Sequence, residues 1–170
     1  MLNKRKQGRL FRNSLDTIIH KEYSQKICEC VKPIIADKKI IMLYNNIDNE
    51  VDVSYLIDKD KTILFPRVES DNMVAVLPQG FLKGSFDISE PVGEAYAGKI
   101  DAVIVPMCAF DDNFNRLGFG KGFYDRFLAA YDCLKIGVAF QGQQTDGIVT
   151  KESDIKMDII VTEHSLLRRI

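Results

Sequence analysis

From Leu10 onward the apolar residues fall at Phe11, Leu15, Ile18, Ile19, Tyr23, Ile27, Val31 and Ile34. Steps near three and four are the period of an amphipathic helix. Asp16 stands where such a helix would restart after a short break, with its carboxylate available as a cap. The pattern then changes. IIMLY, residues 40–44, is a continuous apolar run, too short for a globular helix and followed by the turn-forming NNIDN, which predicts a fully buried strand. A short helix is expected over EVDVSYLID, residues 50–58. TILFPRV (62–68) and MVAVLP (73–78) flank the turn residues 69–72 and read as strands paired at a sheet edge, where Pro66 is tolerated. DAVIVPMCAF (101–110) is the strongest buried-strand candidate, and it runs through DDNFN into a glycine-rich stretch. Beyond the glycines, Phe123, Phe127, Leu128 and Tyr131 have helical spacing, and two more strands are expected in KIGVAF from Lys135 and MDIIVT from Met157.

Buried strands alternating with helical segments predict an α/β fold, a mostly parallel sheet with helices on both faces, as in a Rossmann-like three-layer sandwich. A length of 170 residues suits one domain spanning 1–170, and no repeat, low-complexity tract or linker divides it. The 46% hydrophobic and 28% charged content is that of a soluble globular chain without a membrane-spanning run. A net charge of −1 supplies no global field for nucleic acid, so any anion chemistry must come from local clusters of Lys and Arg. The basic start, MLNKRKQGRLFRNSLD, lacks the apolar core of a secretory signal, which points to the cytoplasm. Cys28, Cys30, Cys108 and Cys133 include no C-x-x-C pair and lie far in sequence from His20 and His164, so reduced structural thiols are expected rather than a zinc site. On a helix Cys28 and Cys30 would diverge by about 200°, suiting two buried or half-buried small hydrophobes.

RLGFGKGFYDRF, residues 116–127, places glycine at 118, 120 and 122 among Arg116, Lys121, Asp125 and Arg126. Ligands of open α/β sheets bind outside the carboxyl ends of strands, and these glycines lie between a buried strand and the next helix. Glycine tolerates positive φ, so alternate glycines can turn several N–H groups toward one anion, with Arg116, Lys121 and Arg126 adding charge. Phosphate is the natural guest. The competing account is a glycine-rich turn with solvated charges. The spacing G-x-G-x-G matches neither the dinucleotide fingerprint nor the P-loop. Asp125 would repel a phosphate unless a cation lay between them, which points to Mg²⁺, with Asp154 and Asp158 as further carboxylates; alternatively it satisfies N–H groups at a helix start.

RLGFGKGFYDRFL resembles the R-x-G-x-G-x-G-[YF]-Y-D-R signature of the 5-formyltetrahydrofolate cyclo-ligase family, also called methenyltetrahydrofolate synthetase. LYNNIDNEV around Glu50, FPRV at Phe65, ISEP at Ile88, DAVIVP at Asp101, AFQGQ at Ala139 and SDIKMDIIVTE at Ser153 agree in order, so the resemblance spans nearly the whole chain. It implies an ATP- and Mg²⁺-dependent conversion of 5-formyltetrahydrofolate to 5,10-methenyltetrahydrofolate with ADP and phosphate as products, by phosphoryl transfer to the formyl oxygen. Such chemistry asks for alignment and charge neutralisation more than covalent work.

By the same resemblance, Arg116, Leu117, Gly118, Phe119, Gly120, Lys121, Gly122, Phe123 and Tyr124 wrap the ATP phosphates, and the stretch from Phe119 to Tyr124 also faces the formyl group. Arg116 and Lys121 carry the catalytic charge, Asp125 and Asp154 hold Mg²⁺, and Glu50 contacts the folate in a pocket lined by Asn45. Taken alone, Glu50 is equally a helix N-terminal carboxylate, and Tyr124 either stacks on the pterin or packs in the core. Family members carry K-x-x-x-R about ten residues before R-x-x-L. Here RNSL from Arg12 places Arg5 at the arginine and leaves the lysine position at or before Met1. Arg5, Arg9 and Arg12 share one helical face, whereas Lys4 and Lys6 diverge by about 200°, so Arg5 with Lys4 is expected at the phosphates. The contrary expectation is that all these charges are merely solvated. The predicted partners are the two small-molecule substrates, with neither nucleic acid nor membrane, and the chain is expected as a monomer or weak homodimer. The rival functions are a nucleotide- or folate-binding regulator without turnover and an isomerase or transferase acting on a sugar phosphate.

Overall fold

The helical period breaks where Leu15 and Asp16 adopt extended backbone, dividing α1 (Lys4–Ser14) from α2 (Thr17–Val31). Asp16 caps α2 by accepting from the N–H groups of Ile18 and Ile19, both at 2.9 Å. The computed structural model describes residues 3–47, 49–83 and 89–170; Asp48 of the NNIDN turn and Ile88 of the ISEP segment lie outside the described residues.

The strands in chain order are β1 (Ile40–Met42), β2 (Thr62–Glu69), β3 (Asn72–Val76), β4 (Gly80–Lys83), β5 (Ser89–Val92), β6 (Ala102–Pro106), β7 (Ala109–Phe110), β8 (Arg116–Leu117), β9 (Leu134–Val138), β10 (Ile159–Val161) and β11 (Leu166–Arg168). Seven of those described form one sheet in the order β11-β10-β9-β6-β1-β2-β3, parallel from β10 through β2 and antiparallel at both edges. In register, Ile41 pairs with Ile63 of β2 and Ala102 of β6, and Ile136 pairs with Ile104 and Ile159. Alternation then sorts the side chains. Ile41, Ala102, Ile104, Ile136, Val138, Ile159 and Val161 meet Ile27, Cys28 and Val31 of α2 on one face. Met42, Val103, Val105 and Ile160 meet Phe127 and Leu128 of α3 (Phe123–Ala129) on the other. The expected architecture of helices on both faces of a mostly parallel sheet is therefore the one observed.

Several local expectations change. EVDVSYLID forms a 3₁₀ turn over Val53–Leu56, started by Asp52 accepting from the Ser54 N–H, in place of an α-helix. Pro66 lies in β2, beyond the stretch paired to β1, and the sheet edge itself is β3. DAVIVPMCAF breaks after Pro106 and resumes as β7, which pairs with β8. The hairpin β4–β5 and the antiparallel edge β11 were not anticipated. Cys28 is buried and donates to the Asp52 carbonyl at 3.4 Å; burial, with Asp52 adding, pushes its thiol pKa up to about 12. Cys30, by contrast, is exposed, where a buried or half-buried side chain was expected. No helix among the described residues is long and apolar enough to cross a membrane.

Candidate active site at the carboxyl ends of β1 and β6

β2 follows β1 in the chain and lies to one side of it, while β6 lies on the other, so the strand order reverses between β1 and β6. Diverging connections open a crevice at such a point. The loop after β1 leads to Glu50, and the segment after β6 leads to the glycines. Both arrive at one end of the sheet.

The glycine loop has a rigid base. The Asp111 carboxylate accepts from the N–H groups of Asn113 (3.0 Å), Asn115 (3.0 Å) and Ile148 (2.7 Å) and from the Asn115 amide (3.0 Å). Burial by itself would raise the pKa of this group, but these donors outweigh it and hold the carboxyl below its ordinary range. Leu117 accepts at its carbonyl from the Cys108 N–H at 2.7 Å, which fixes where the loop leaves the sheet. Gly120 (φ 93°) and Gly122 (φ 69°) occupy the left-handed region, a conformation costly for residues with a Cβ. Gly118 does not, so two of the three glycines, rather than all three, supply the turn.

The structure places the charged side chains of the motif differently from one another. Arg116 lies beneath the loop, 5% exposed; its Nη2 donates to Asp125 Oδ1 at 2.7 Å, and its guanidinium sits 5.7 Å from the Tyr124 ring centre. Burial lowers its pKa while Asp125, Tyr124 and Asp154 act in the opposite sense, and a group this basic stays a cation. Asp125 Oδ1 also accepts from the Ile155 N–H at 3.1 Å, tying the glycine loop to the segment that carries Asp154. Asp154 Oδ2 accepts from the Lys151 N–H at 2.8 Å. Lys121 is exposed at the loop tip, where its carbonyl accepts from Arg126 at 3.1 Å. Arg126 also donates to the Asp71 carbonyl at 2.6 Å and covers Phe123, so it braces the loop against the β2–β3 turn.

Asp125 and Asp154 suit a hard divalent cation in part. Each is a carboxylate, and the hydrogen bonds described use one oxygen of each. Among the described residues no three acidic, His or Cys side chains form a metal cluster, so a cation here would take its remaining ligands from water and phosphate oxygens, as Mg²⁺ does.

Helix α1 covers the loop from the other side. It packs so closely that a Cβ on Gly8 would lie 1.8 Å from the Cys108 carbonyl oxygen. Arg5 Nε donates to the Gly118 carbonyl at 2.9 Å, and the guanidinium groups of Arg9 and Arg12 each lie 5.5 Å from the Phe119 ring centre. The arginine stripe thus faces the glycine loop. Lys4 turns instead to the carbonyls of Asp146 and Gly147, and Lys6 is exposed. Arg12 is fully buried with Nη1 3.6 Å from Glu50 Oε1, and Glu50, 4% exposed, also accepts from the Ile47 N–H at 3.1 Å. Sequence reasoning missed that pair, although Arg12 was on the stripe.

Two tyrosines lie within electrostatic reach of Glu50. The Tyr44 hydroxyl donates to the Val51 carbonyl at 2.8 Å and closes the loop after β1. Burial first, and Glu50 second, push both the Tyr44 and Tyr124 hydroxyls well up, so both remain neutral donors at any ordinary pH. Asn45, expected in the pocket lining, donates to the Ser89 carbonyl at 2.7 Å and joins the end of β1 to the β4–β5 hairpin.

The profile of the 5-formyltetrahydrofolate cyclo-ligase family matches residues 16–163. The chain belongs to that family. A 5-formyltetrahydrofolate cyclo-ligase of Mycoplasma pneumoniae is 30% identical over 169 residues, covering 94% of this chain and 96% of its own. A namesake from Haemophilus influenzae is 28% identical, covering 92% and 95%. Among solved structures, the 5,10-methenyltetrahydrofolate synthetase of Aquifex aeolicus superposes with a TM-score of 0.86 at 34% identity, covering 97% of this chain and 90% of its own. The Mycoplasma pneumoniae synthetase gives 0.79 at 27% identity, covering 94% and 96%. The family profile starts at residue 16, beyond α1, and Arg5, Arg9 and Arg12 join the candidate site through the contacts of α1 with the glycine loop.

Proposed function

We propose that the protein converts 5-formyltetrahydrofolate to 5,10-methenyltetrahydrofolate at the expense of ATP, which leaves as ADP and phosphate. The observation that carries this reading is the meeting, at the sheet's switch point, of a basic glycine loop roofed by Arg5 with a buried carboxylate, Glu50, which Arg12 links to Phe119 of that loop. The first half suits a polyphosphate and the second suits the polar edge of a pterin.

A formyl oxygen is a poor leaving group. Transfer of the γ-phosphoryl group to that oxygen makes it a good one; the nitrogen at position 10 then attacks the formyl carbon, phosphate leaves with the oxygen, and the attacking nitrogen loses its proton. The protein must align the two substrates and meet the charge on the moving phosphoryl group. In this scheme Lys121, free at the loop tip, supplies the mobile charge. Arg5 reaches the phosphates from α1, and backbone N–H groups from Gly118 to Tyr124 line the phosphate path. Arg116 acts from below, holding Asp125 in place rather than touching phosphate itself. Lys4, directed at the carbonyls of residues 146–147, acts on the nucleotide through that loop. Asp125 and Asp154 would hold Mg²⁺, whose chemistry here is neutralisation of phosphate oxygens. Glu50 accepts from pterin N–H groups, with Asn45 and Tyr124 at the pocket wall.

The test is direct: Mg-ATP and 5-formyltetrahydrofolate are incubated with the protein and the ultraviolet absorbance of the methenyl product is followed. Product formation that requires both ATP and Mg²⁺ is expected. ATP binding without product would replace this reading with a regulator, and ATP-independent chemistry on a sugar phosphate would remove it altogether.

A further inference from the structure

One side chain touches both halves of the site. Arg12 presents a guanidinium nitrogen to Glu50, 3.6 Å away, and the guanidinium also lies against the Phe119 ring at 5.5 Å. Glu50 belongs to the loop after β1 and Phe119 to the glycine loop after β6, and they share this contact although 69 positions separate them in sequence. Arg12 is fully buried, while Phe119 is 45% exposed despite the large apolar area of its ring. Phe119 thus sits at the loop tip with two cations, Arg9 and Arg12, over its ring and without a closed apolar socket. A cation stacked on a ring and paired with a carboxylate cannot optimise both contacts independently, because its plane is rigid.

We infer that Arg12 is a positioning residue that couples folate occupancy to the conformation of the glycine loop. A ligand drawing on the Glu50 carboxylate reorients or releases the Arg12 guanidinium, which changes the seat of Phe119 and with it the loop carrying Lys121. The coupling is reciprocal: a ligand at Glu50 biases the glycine loop, and a ligand held by that loop biases Glu50. This rests on the proposed function for the identity of the ligand at Glu50.

The chain contains no tryptophan, so Phe119→Trp installs a single indole at the proposed reporter position. 5-Formyltetrahydrofolate is added without ATP, its binding is measured by calorimetry, and acrylamide quenching of the indole is measured in parallel. In the Phe119→Trp protein, saturation with 5-formyltetrahydrofolate is expected to change the quenching constant by about twofold or more, because a cation–π contact is made or lost. Arg12→Lys added to Phe119→Trp keeps a charge for Glu50 but removes the planar face. At concentrations of 5-formyltetrahydrofolate that saturate it, as read by calorimetry, it is expected to lose more than half of the quenching response. Should Arg12→Lys fail to fold, Glu50→Asp takes its place: it draws the carboxylate back by one methylene and must likewise diminish the response at saturation. Binding of 5-formyltetrahydrofolate with an unchanged indole response in these variants overturns the coupling while leaving the proposed function standing. No binding of 5-formyltetrahydrofolate to the unaltered protein overturns the proposed function and the coupling together.

Discussion

Both ends of the central sheet carry charged side chains that satisfy backbone groups, but only at one end do such charges also join the glycine loop to helix α1. At the amino ends of the strands, charged groups saturate backbone atoms. Asp101 Oδ2 accepts from the N–H groups of Lys39 and Ile40, Lys61 Nζ donates to the carbonyls of Ile35, Ala36 and Lys38, and Asp158 accepts from the Lys135 N–H and from Arg169. Two hollows of about 580 Å³ and 520 Å³ lie there, lined in part by these residues. At the carboxyl ends, charges also tie distant segments together, Arg12 to Glu50 and Arg5 to the Gly118 carbonyl, while Arg116 meets Asp125 across the glycine loop itself. A group spent on satisfying a strand end stabilises the fold, whereas charges gathered across separate segments can be redistributed when a ligand arrives.

The sharpest test of that division is Lys121→Ala. Lys121 is exposed and at the loop tip, so its loss should leave thermal unfolding nearly unchanged and lower kcat on the order of 10²-fold, with little effect on folate binding, as expected for a charge acting in the transition state. Unchanged kcat with a raised folate KM would make it a binding residue and weaken the contrast between the ends.

Next in size, Asp125→Asn and Asp154→Asn are each expected to raise the Mg²⁺ concentration for half-maximal activity by about tenfold or more, since disturbing even outer partners of a metal site costs 10–100-fold. Asp158→Asn, at the opposite end, should leave that concentration alone and lower only stability. A larger metal effect at Asp158 would collapse the comparison.

Smaller again is the arm. Arg5→Ala is expected to raise the KM for ATP about five- to tenfold through loss of a charge at the phosphates, with Lys6→Ala unchanged. Lys4→Ala should fall between them, because Lys4 acts through residues 146–147. Equal, negligible effects at all three would detach α1 from the nucleotide side.

At the other end, Asp101→Ala should leave kcat and both KM values intact and cost about 1 kcal/mol for each backbone hydrogen bond lost. The bonds from Ile40 and Lys39 hold the Asp101 carboxyl below its ordinary pKa. Its folded value lies below the unfolded one, so this contribution is full above about pH 4 and is lost as pH falls through the lower folded value. In urea titrations the gap between native protein and Asp101→Ala should narrow on acidification and nowhere else.

Much of the frame was legible because long apolar periods and unbroken apolar runs report burial directly: α2 with its Asp16 cap, β1, β6, β9 and β10 all follow from pattern. The β4–β5 hairpin and β11 were not legible, since GFLK is exposed at every position and only the middle residue of LLR is partly covered, so neither bears the alternation of a half-buried strand. At the site, the shared face of Arg5, Arg9 and Arg12 could be counted off a helix, but the partner of Arg12 lies 38 residues away and no spacing rule reaches it. Arg116 and Asp125 were both recognised as chemistry-bearing, yet the bond between them depends on how the loop folds back, which is a tertiary fact.

The contact at Gly8 has a consequence for alignment. Arg5 and Arg9 are one helical turn apart, so a slide of α1 by about 5.4 Å would bring Arg9 to where Arg5 now meets Gly118. Charge alone would distinguish poorly between these two settings, since one guanidinium replaces another. The absence of a side chain at residue 8 breaks the degeneracy: at the crossing with Cys108 there is no space for even a methyl group, and the residue that such a slide would carry there, Arg12, is far larger than that. Gly8 is an indexing notch, and through it a position with no charge and no functional group decides which arginine reaches the loop.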